Sequence, residues 1–282
     1  MLQLQLVQRP LRAATSLLIA AAAVASASCR PSPAPPSSEL RILVYNIHAG
    51  KDRGGRDNID RVAGIVRLAG SDVAFLQEVD SVTERSGWIS QLDTLAHATG
   101  LRGVFGRTLN YQGGGYGIAT LTRLPIIRDS MISLPVIPAQ QRAGGSYEPR
   151  GLLEVITVLG GDTIALLNTH LDPSGDDRFR RQEVATIIVH AKAHAASGMR
   201  VLVGGDFNST PESAVQEMLR EAGFHDLWAE CGRGPGLTYP DTVPLKRIDY
   251  LFHLGGFRCQ RTMVLDSLAS DHRPLLVILR RD

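Results

Sequence analysis

Polar side chains of the kinds used in hydrolytic catalysis recur along this sequence at the ends of short apolar segments. One such residue is ordinarily a turn or helix-capping residue, and the segment Asp206-Phe207-Asn208 on its own is open to that interpretation. Turns do not explain the repetition, because they do not require a mixture of carboxylates, carboxamides and imidazoles. The residues at these segment ends are Asn46, Glu78, His170, Asp206, Asn208, Asp249, Asp271 and His272.

The carboxylates and one carboxamide of this set suit a divalent cation and an attacking water. A hard cation such as Mg²⁺ prefers carboxylate and amide oxygens, which Glu78, Asn46 and Asp271 provide. A water that attacks phosphorus must be oriented or deprotonated, and Asp206 is a suitable carboxylate for that task. These residue types predict metal-assisted hydrolysis of a phosphoester.

The other residues of the set suit the negative charge that develops on a phosphate during hydrolysis. Asn208, His170 and His272 carry hydrogen-bond donors of the type that stabilises such charge. A carboxylate beside an imidazole holds the ring in one orientation and favours its cation, and Asp249 is the candidate partner of His272. A serine hydrolase is not indicated, because the sequence has no Gly-x-Ser-x-Gly segment.

The spacing of apolar residues predicts the strands and helices that must position these side chains. Hairpin-like strand pairs mixed with strand–helix units indicate an α/β fold, in which two mixed β-sheets pack face to face and are flanked by helices. No segment between residues 40 and 282 has the composition of a linker, so we predict one domain there. The predicted strands cover 41–46, 73–77, 117–121, 151–158, 163–170, 200–205, 248–253, 260–265 and 274–279, and the predicted helices cover 59–69, 179–196 and 211–223.

These segments resemble the endonuclease/exonuclease/phosphatase superfamily of metal-dependent hydrolases. The matching motifs occur in the order of that superfamily and span nearly all of the chain after residue 40. The resemblance implies a four-layer α/β sandwich and a Mg²⁺ cofactor, with Mn²⁺ often able to substitute. The motifs are Tyr45-Asn46-Ile47, Gln77-Glu78-Val79, Thr169-His170-Leu171, Gly205-Asp206-Phe207-Asn208-Ser209, Arg247-Ile248-Asp249-Tyr250 and Ser270-Asp271-His272-Arg273-Pro274.

The resemblance also implies roles on the metal side of the site. By that resemblance, Glu78 is the principal metal ligand, and Asn46 supports both metal and phosphate. Asp206 orients or activates the attacking water, and Asp271 helps to place metal or water.

On the phosphate side, the resemblance assigns Asn208 to stabilisation of the transition state. It pairs His272 with Asp249 and places His272 against the scissile phosphate, while His170 polarises a phosphate oxygen.

Two further positions fit the superfamily and are expected to bind substrate, namely Arg150 before the strand at 151–158 and Tyr116 before the strand at 117–121. The motifs around His170 and Asp206 are more similar to the sphingomyelinase and deadenylase branches than to the abasic-site endonucleases. A departure is Ile118, where many relatives have asparagine, which puts one supporting contact in doubt.

The N-terminal residues predict export. Arg9 and Arg12 precede an apolar run that is short for a membrane span, so we predict a signal peptide over residues 1–28 and a Pro/Ser-rich tether over 29–39. Three interpretations of this segment remain open. Cys29 can be the lipid-modified residue of a bacterial cell-envelope lipoprotein, cleavage after Ala27 can release a soluble periplasmic or secreted protein, or the segment can stay as an anchor.

Charge limits the class of partner only weakly. The first 28 residues contain Arg9 and Arg12 and no acidic residue. Without them, the chain has 28 Lys and Arg against 28 Asp and Glu, so its formal net charge is zero. A neutral body does not attract a phosphate polymer in general. We therefore expect a monomeric phosphoesterase whose substrate, a lipid headgroup or a nucleotide or nucleic acid, is unresolved. The alternatives are an extracellular nuclease of the same fold and a catalytically silent binding module.

Cysteine and histidine spacing leaves two smaller questions. Cys231 and Cys259 can form a disulfide in an oxidising compartment or remain separate thiols. His190 and His194 have the spacing of metal ligands on a helix, but no glutamate follows His190 as in the zinc proteases. We predict that these two histidines lie on a solvated helix face.

Overall fold

The computed structural model describes residues 39–137, 139–140 and 142–281. The predicted signal peptide and almost all of the predicted tether, including Cys29, lie outside these residues. The strands are β1 (Glu39–Asn46), β2 (Val73–Ser81), β3 (Arg102–Tyr111), β4 (Gly114–Thr122), β5 (Ile126–Ser133), β6 (Gly151–Leu159), β7 (Asp162–His170), β8 (Arg200–Asp206), β9 (His225–Asp226), β10 (Asp249–His253), β11 (Phe257–Val264) and β12 (Leu275–Arg281). The α-helices are α1 (Ile59–Leu68), α2 (Gln91–Thr99), α3 (Arg178–Ala196), α4 (Ala214–Glu221) and α5 (Leu227–Cys231).

The strands form two six-stranded mixed sheets. The order is β11-β12-β1-β2-β4-β3 in the first sheet and β5-β6-β7-β8-β10-β9 in the second. Each sheet has one parallel pair near its centre, β1 with β2 and β7 with β8, and its other pairs are antiparallel. In both sheets the parallel pair therefore brings two strand ends to the same edge, which is where a sheet presents side chains to a ligand.

Alternation of apolar residues along β1 shows how the layers form. Ile42 and Val44 point into the core between the sheets, where they join Phe75 of the first sheet and Leu202 of the second. The intervening residues of β1 pack with α1 and α2 on the outer face of the first sheet. Helices α3 and α4 cover the outer face of the second sheet in the same way. The predicted four-layer α/β sandwich is confirmed.

The elements that the sequence did not predict lie mostly at the sheet edges. Strands β3 and β5 each form one edge of their sheets, and both have largely exposed or half-exposed side chains. An edge strand has solvent on one flank, so its apolar pattern is weak. Helix α4 is shorter than predicted, because the Ser213 side chain caps its first turn by accepting from the backbone N–H of Gln216. Within the described part of the chain, no helix is both long enough and apolar enough to span a membrane.

Cys231 and Cys259 form a disulfide, which settles the question that the sequence left open. The bridge joins the end of α5 to β11, with a Cα–Cα distance of 6.0 Å and a sequence separation of 28 residues. Closing a loop of that length in the unfolded chain stabilises the folded state by about 3 to 4 kcal/mol in the chain-entropy treatment.

The prediction of a solvated face for His190 and His194 is wrong. Both imidazoles turn toward the sheet and approach the same carboxylate oxygen of buried Glu154, at 3.1 Å for Nδ1 of His190 and 3.0 Å for Nε2 of His194. The other oxygen of Glu154 accepts from the hydroxyl of Ser130 at 3.0 Å. The spacing of four residues thus serves to hold α3 on β6, a contact that only the packed structure reveals.

Buried Glu183 of α3 makes stability depend on pH. One of its oxygens accepts from the backbone N–H of Asp172 at 3.0 Å, and the other is buried without a hydrogen-bond partner among the described residues. Burial raises the pKa of Glu183 from 4.5 to about 7. Between pH 4.5 and about 7, the Glu183 carboxyl is ionised in the unfolded chain but stays protonated in the folded chain. Stability is therefore lost as pH rises through that window, by up to about 3 kcal/mol for this group.

Glu183→Gln is accordingly expected to remove that part of the pH dependence. Urea unfolding at pH 5 and pH 8 should show the wild-type protein losing stability relative to the variant as pH rises. Glu221→Gln, at an exposed position on α4, is the matched control and should follow the wild-type profile. Parallel pH profiles for wild type and Glu183→Gln would contradict the assignment.

Candidate active site

The ends of the central strands converge on one cavity at one edge of the sandwich. Asn46 and Glu78 lie at or near the carboxyl ends of β1 and β2, and His170 and Asp206 end β7 and β8. Asp249 starts β10 opposite Asp206 in the antiparallel register. The cavity has a volume of about 330 Å³ and is lined by Glu78, Gly145, Arg150, His170, Pro173, Asp206, Asn208, Thr210, Tyr239, Lys246, Ile248, Asp271 and His272.

Glu78 reaches the cavity through a β-bulge. The register between β2 and β4 shifts between Leu76 and Val79, and Glu78 has a φ of 57°. A left-handed backbone at a non-glycine residue costs energy and is characteristic of functional positions. The carboxamide of Asn46 donates to Oε1 of Glu78 at 3.0 Å and to Oδ2 of Asp206 at 3.1 Å. Asn46 therefore connects the two sheets across the site.

Asp206 is held by a close approach of β7 and β8. Gly205 has a φ of 145°, and a Cβ at that position would collide with the carbonyl oxygen of Thr169. Only glycine permits this approach, which places Asp206 beside His170. Burial, and then the charge of Asp249, raise the pKa of the Asp206 carboxyl above its ordinary value, although His272 opposes this rise.

His170 and Asn208 form a neighbouring pair on the second sheet. Asn208 has a φ of 47°, and its carboxamide donates to the carbonyl of Leu171 at 2.8 Å and lies 3.1 Å from Nε2 of His170. Its backbone N–H donates to Oδ1 of Asp206 at 2.9 Å. Burial, together with Arg150 and His272, lowers the pKa of His170 well below its ordinary value. His170 is therefore a neutral imidazole at physiological pH.

His272 lies between two carboxylates. Its Nδ1 is 2.9 Å from Oδ2 of Asp249, and its Nε2 is 3.6 Å from Oδ2 of Asp206. Burial disfavours the charged ring, but Asp249 and then Asp206 more than offset that effect and raise the pKa of His272. The hydroxyl of Ser270 donates to the carbonyl of Asn46 at 2.7 Å and accepts from the backbone N–H of His272, which fixes this segment against β1.

The two predicted substrate-binding residues occupy different environments. Arg150 lines the cavity, pairs with Glu148 at 3.1 Å, and has a buried Nε without a partner among the described residues. Tyr116 does not line the cavity, because its ring is buried and carries the guanidinium of Arg85 at 5.2 Å from the ring centroid. The position of Tyr116 therefore does not support the expectation that it contacts substrate, because its ring is buried and lies outside the residues that line the cavity.

Three residues of the site were not found in the sequence. Tyr239 and Lys246 line the cavity from an irregular loop, and the ring of Tyr239 lies 4.9 Å from that of His272. Ser270 belongs to a motif already singled out, but its role as a bridge depends on contacts with another strand. No local sequence pattern identifies Tyr239 or Lys246 as site residues. The one sequence clue is that Lys246 directly precedes the Arg247-Ile248-Asp249 motif.

Two groups of side chains in the cavity have the chemistry of metal ligands. Asp206, Asp249 and His272 have ligand atoms within 4.8 Å of one another, but their proximity reflects the hydrogen-bonded histidine–carboxylate pair. Glu78 and Asp271 both line the cavity and supply carboxylate oxygens, whereas Asn46 turns its amide nitrogen toward Glu78 and its oxygen accepts from the backbone N–H of His48. Hard divalent cations prefer oxygen ligands, so the two carboxylates fit such an ion.

The two-sheet α/β sandwich, its polar cavity and a matching family model together identify the class of hydrolases to which this chain belongs. The chain belongs to the Endonuclease/Exonuclease/phosphatase family, whose model matches residues 43–272.

The chain is also similar in sequence to two known proteins and in structure to a third. The Escherichia coli K12 protein YbhP is 27% identical over 223 residues, which are 76% of this chain and 84% of YbhP. The inositol phosphosphingolipids phospholipase C of Schizosaccharomyces pombe is 25% identical over 217 residues, which are 73% of this chain and 48% of that protein. The solved structure of a Bacteroides thetaiotaomicron mannosyl-6-phosphatase has a TM-score of 0.70 and 19% identity, and the match covers 85% of this chain and 99% of the phosphatase. This last likeness shows the shared fold.

Proposed function

We propose that this protein is an exported, Mg²⁺-dependent phosphoesterase that hydrolyses a phospholipid headgroup or another small phosphodiester by attack of water on phosphorus. The observation that carries the proposal is the position of Asp206. Its Oδ2 lies 3.6 Å from the imidazoles of both His170 and His272 and accepts from the carboxamide of Asn46. A carboxylate so placed can take a proton from water beside donors that face the phosphate.

The proposed roles of Asp206, His272 and His170 follow from the direction in which the pKa of each is shifted. Asp206 has a raised pKa, which brings its basicity closer to the operating pH and suits a group that orients and deprotonates water. His272 is kept cationic by Asp249 and donates to a phosphate oxygen. Asn208 and neutral His170 supply further hydrogen bonds as charge develops on the phosphate.

Glu78 and Asp271 are proposed to hold the cation, and Asn46 to support them through its hydrogen bond to Glu78. A bound Mg²⁺ neutralises charge on the phosphate and lowers the barrier to attack. The bulge at Glu78 and the hydrogen bond from Asn46 fix the direction of the carboxylate before any ligand arrives. Arg150 and Lys246, which line the same cavity, provide positive charge for the rest of an anionic substrate.

A small phosphoester is favoured by two observations. The cavity of about 330 Å³ is at the lower end of the range for small-molecule sites. One relative is named as a phospholipase C, and one structural neighbour is named as a sugar phosphatase.

A substrate panel tests the proposal. Sphingomyelin, bis-p-nitrophenyl phosphate, a phosphomonoester, RNA and plasmid DNA should be assayed with Mg²⁺ and with EDTA. We expect EDTA-sensitive hydrolysis of the small diester or the lipid. Preferential cleavage of DNA would favour a nuclease, and no turnover of any substrate would favour a silent binding module. Activity that persists in EDTA would refute the metal-dependent mechanism.

Export is part of the proposal and is supported by the Cys231–Cys259 disulfide, because such bridges persist in oxidising compartments. Deleting residues 2–28 is expected to leave the protein in the cytoplasm, whereas Cys29→Ser should release it from the membrane fraction if the cysteine carries lipid. Cell fractionation measures both outcomes. An unchanged distribution after the deletion would contradict export through this segment.

A further inference from the structure

A second cluster of metal-ligand side chains lies at the other end of β10. His225 on β9, Glu230 on α5 and His253 at the end of β10 have ligand atoms within 4.8 Å of one another. Asp249, at the catalytic end of the same strand, is four residues away, which corresponds to about 13 Å along a β-strand. The cluster is therefore separate from the cavity described above.

Two of the distances between donor atoms are near those of a tetrahedral metal site. Oε1 of Glu230 lies 2.9 Å from Nε2 of His253 and 3.5 Å from Nδ1 of His225. Ligands at the usual zinc distances of about 2.0 to 2.1 Å, arranged tetrahedrally, are about 3.3 Å apart. The two imidazoles are stacked with ring centroids 4.9 Å apart, and each turns a nitrogen toward Oε1 of Glu230.

The surroundings hold two of the ligands in place. Asp226, between His225 and α5, accepts from the backbone N–H of Trp228 at 2.9 Å and from the guanidinium of Arg247 at 2.7 Å. The Cys231–Cys259 bridge fixes the other end of α5, one residue after Glu230. Ligands that are held by such supporting contacts lose little freedom when an ion binds.

His253 is the buried member of the cluster, and its Nε2 faces Oε1 of Glu230 at 2.9 Å. The side chain is 6% exposed, and its second nitrogen, Nδ1, is buried without a partner among the described residues. Leaving a buried polar nitrogen unpaired costs free energy. A metal ion at Nε2 would fix the ring proton on Nδ1, so His253 would coordinate as a neutral imidazole. The side chain of His225 is 59% exposed and that of Glu230 is 31% exposed, so an ion can enter from solvent.

We propose that His225, Glu230 and His253 bind a transition-metal ion of the zinc class, with a fourth position open to water. Two imidazoles and one carboxylate form a donor set that zinc uses in proteins. The ion ties β9, β10 and α5 together and acts on stability rather than on hydrolysis.

Zinc stoichiometry tests the proposal. Untagged protein is stripped with EDTA, dialysed into excess Mg²⁺ to occupy the catalytic cavity, and titrated with Zn²⁺ while bound zinc per chain is measured. We expect one zinc to be lost in His225→Ala and in Glu230→Gln, and zinc to raise the Tm of the wild type but not of these variants. His194→Ala is the control, because its Nε2 also faces a glutamate at 3.0 Å but outside the cluster.

Hydrolysis by His225→Ala should equal that of the wild type, which separates this site from the catalytic one. A zinc stoichiometry that is the same in wild type, His225→Ala and Glu230→Gln would overturn the proposal. Loss of zinc in Glu78→Gln alone would do so too, because the ion would then belong to the catalytic cavity. His225→Ala and Glu230→Gln change side chains that are largely or partly exposed, so we do not expect these variants to misfold.

Discussion

Asp206→Asn is expected to lower kcat by about 10²- to 10⁴-fold while the protein remains folded. The asparagine keeps the size of the side chain but cannot accept a proton from water. One of its two polar atoms also becomes a donor, which faces either the backbone N–H of Asn208 or the carboxamide of Asn46. The substitution thus removes the proton acceptor and disturbs the hydrogen bonds that link the sheets. Steady-state kinetics on the best substrate of the panel measures the loss.

Stability provides the control for this prediction. Asp206 is buried and its pKa is raised, so its negative charge costs free energy in the folded state. Relief of that cost offsets the disturbed hydrogen bonds, so the melting temperature of Asp206→Asn should stay close to that of the wild type. Asp129→Asn makes the same change at an exposed position on β5 and should leave both properties unchanged. Unchanged turnover in Asp206→Asn would refute its catalytic role.

Glu78→Gln is expected to have the second large effect, on the response to Mg²⁺. Loss of the carboxylate charge should lower kcat by at least about 10²-fold and raise the Mg²⁺ concentration needed for half-maximal activity. Partial recovery at high Mg²⁺ would show that the variant is weak in metal binding rather than misfolded. Mg²⁺ titrations of activity for wild type and variant measure this difference.

Glu84→Gln is the matched control for Glu78. Glu84 is six residues further along and exposed in the short turn after β2, so the same chemical change should alter neither kcat nor the Mg²⁺ response. Identical Mg²⁺ titrations for wild type and Glu78→Gln would mean that the cation is held elsewhere. The group of Asp206, Asp249 and His272 would then be the next candidate.

The sequence was most informative about residues that end a central strand. Short apolar runs predicted β1, β7 and β8 to within two residues at their ends and the first five residues of β2, and the polar residues at or near those ends meet at one cavity. Parallel pairing explains why, because it places the carboxyl ends of neighbouring strands at the same edge. The pairing of His272 with Asp249 was also predicted, and these two side chains are 2.9 Å apart.

Predictions were weaker where a residue's environment depends on a distant segment. The tyrosine at 116 was assigned to the cleft, but the β3–β4 pairing buries its ring. His190 and His194 were assigned to solvent, but both rings lie against Glu154 of β6. Spacing within a helix or strand shows which residues share a face, and it does not show what covers that face.

The sequence by itself therefore determined the types and order of the residues proposed to be catalytic and the strands that carry them, because these depend on local apolar runs and on the side chain at each strand end. Only the tertiary structure decided the bulge that turns Glu78 into the cavity, the disulfide between α5 and β11, and the entry of Tyr239 and Lys246 from a loop. It also brought together His225, Glu230 and His253. These features arise from contacts between segments far apart in the chain, whose geometry is set by the packing of the two sheets.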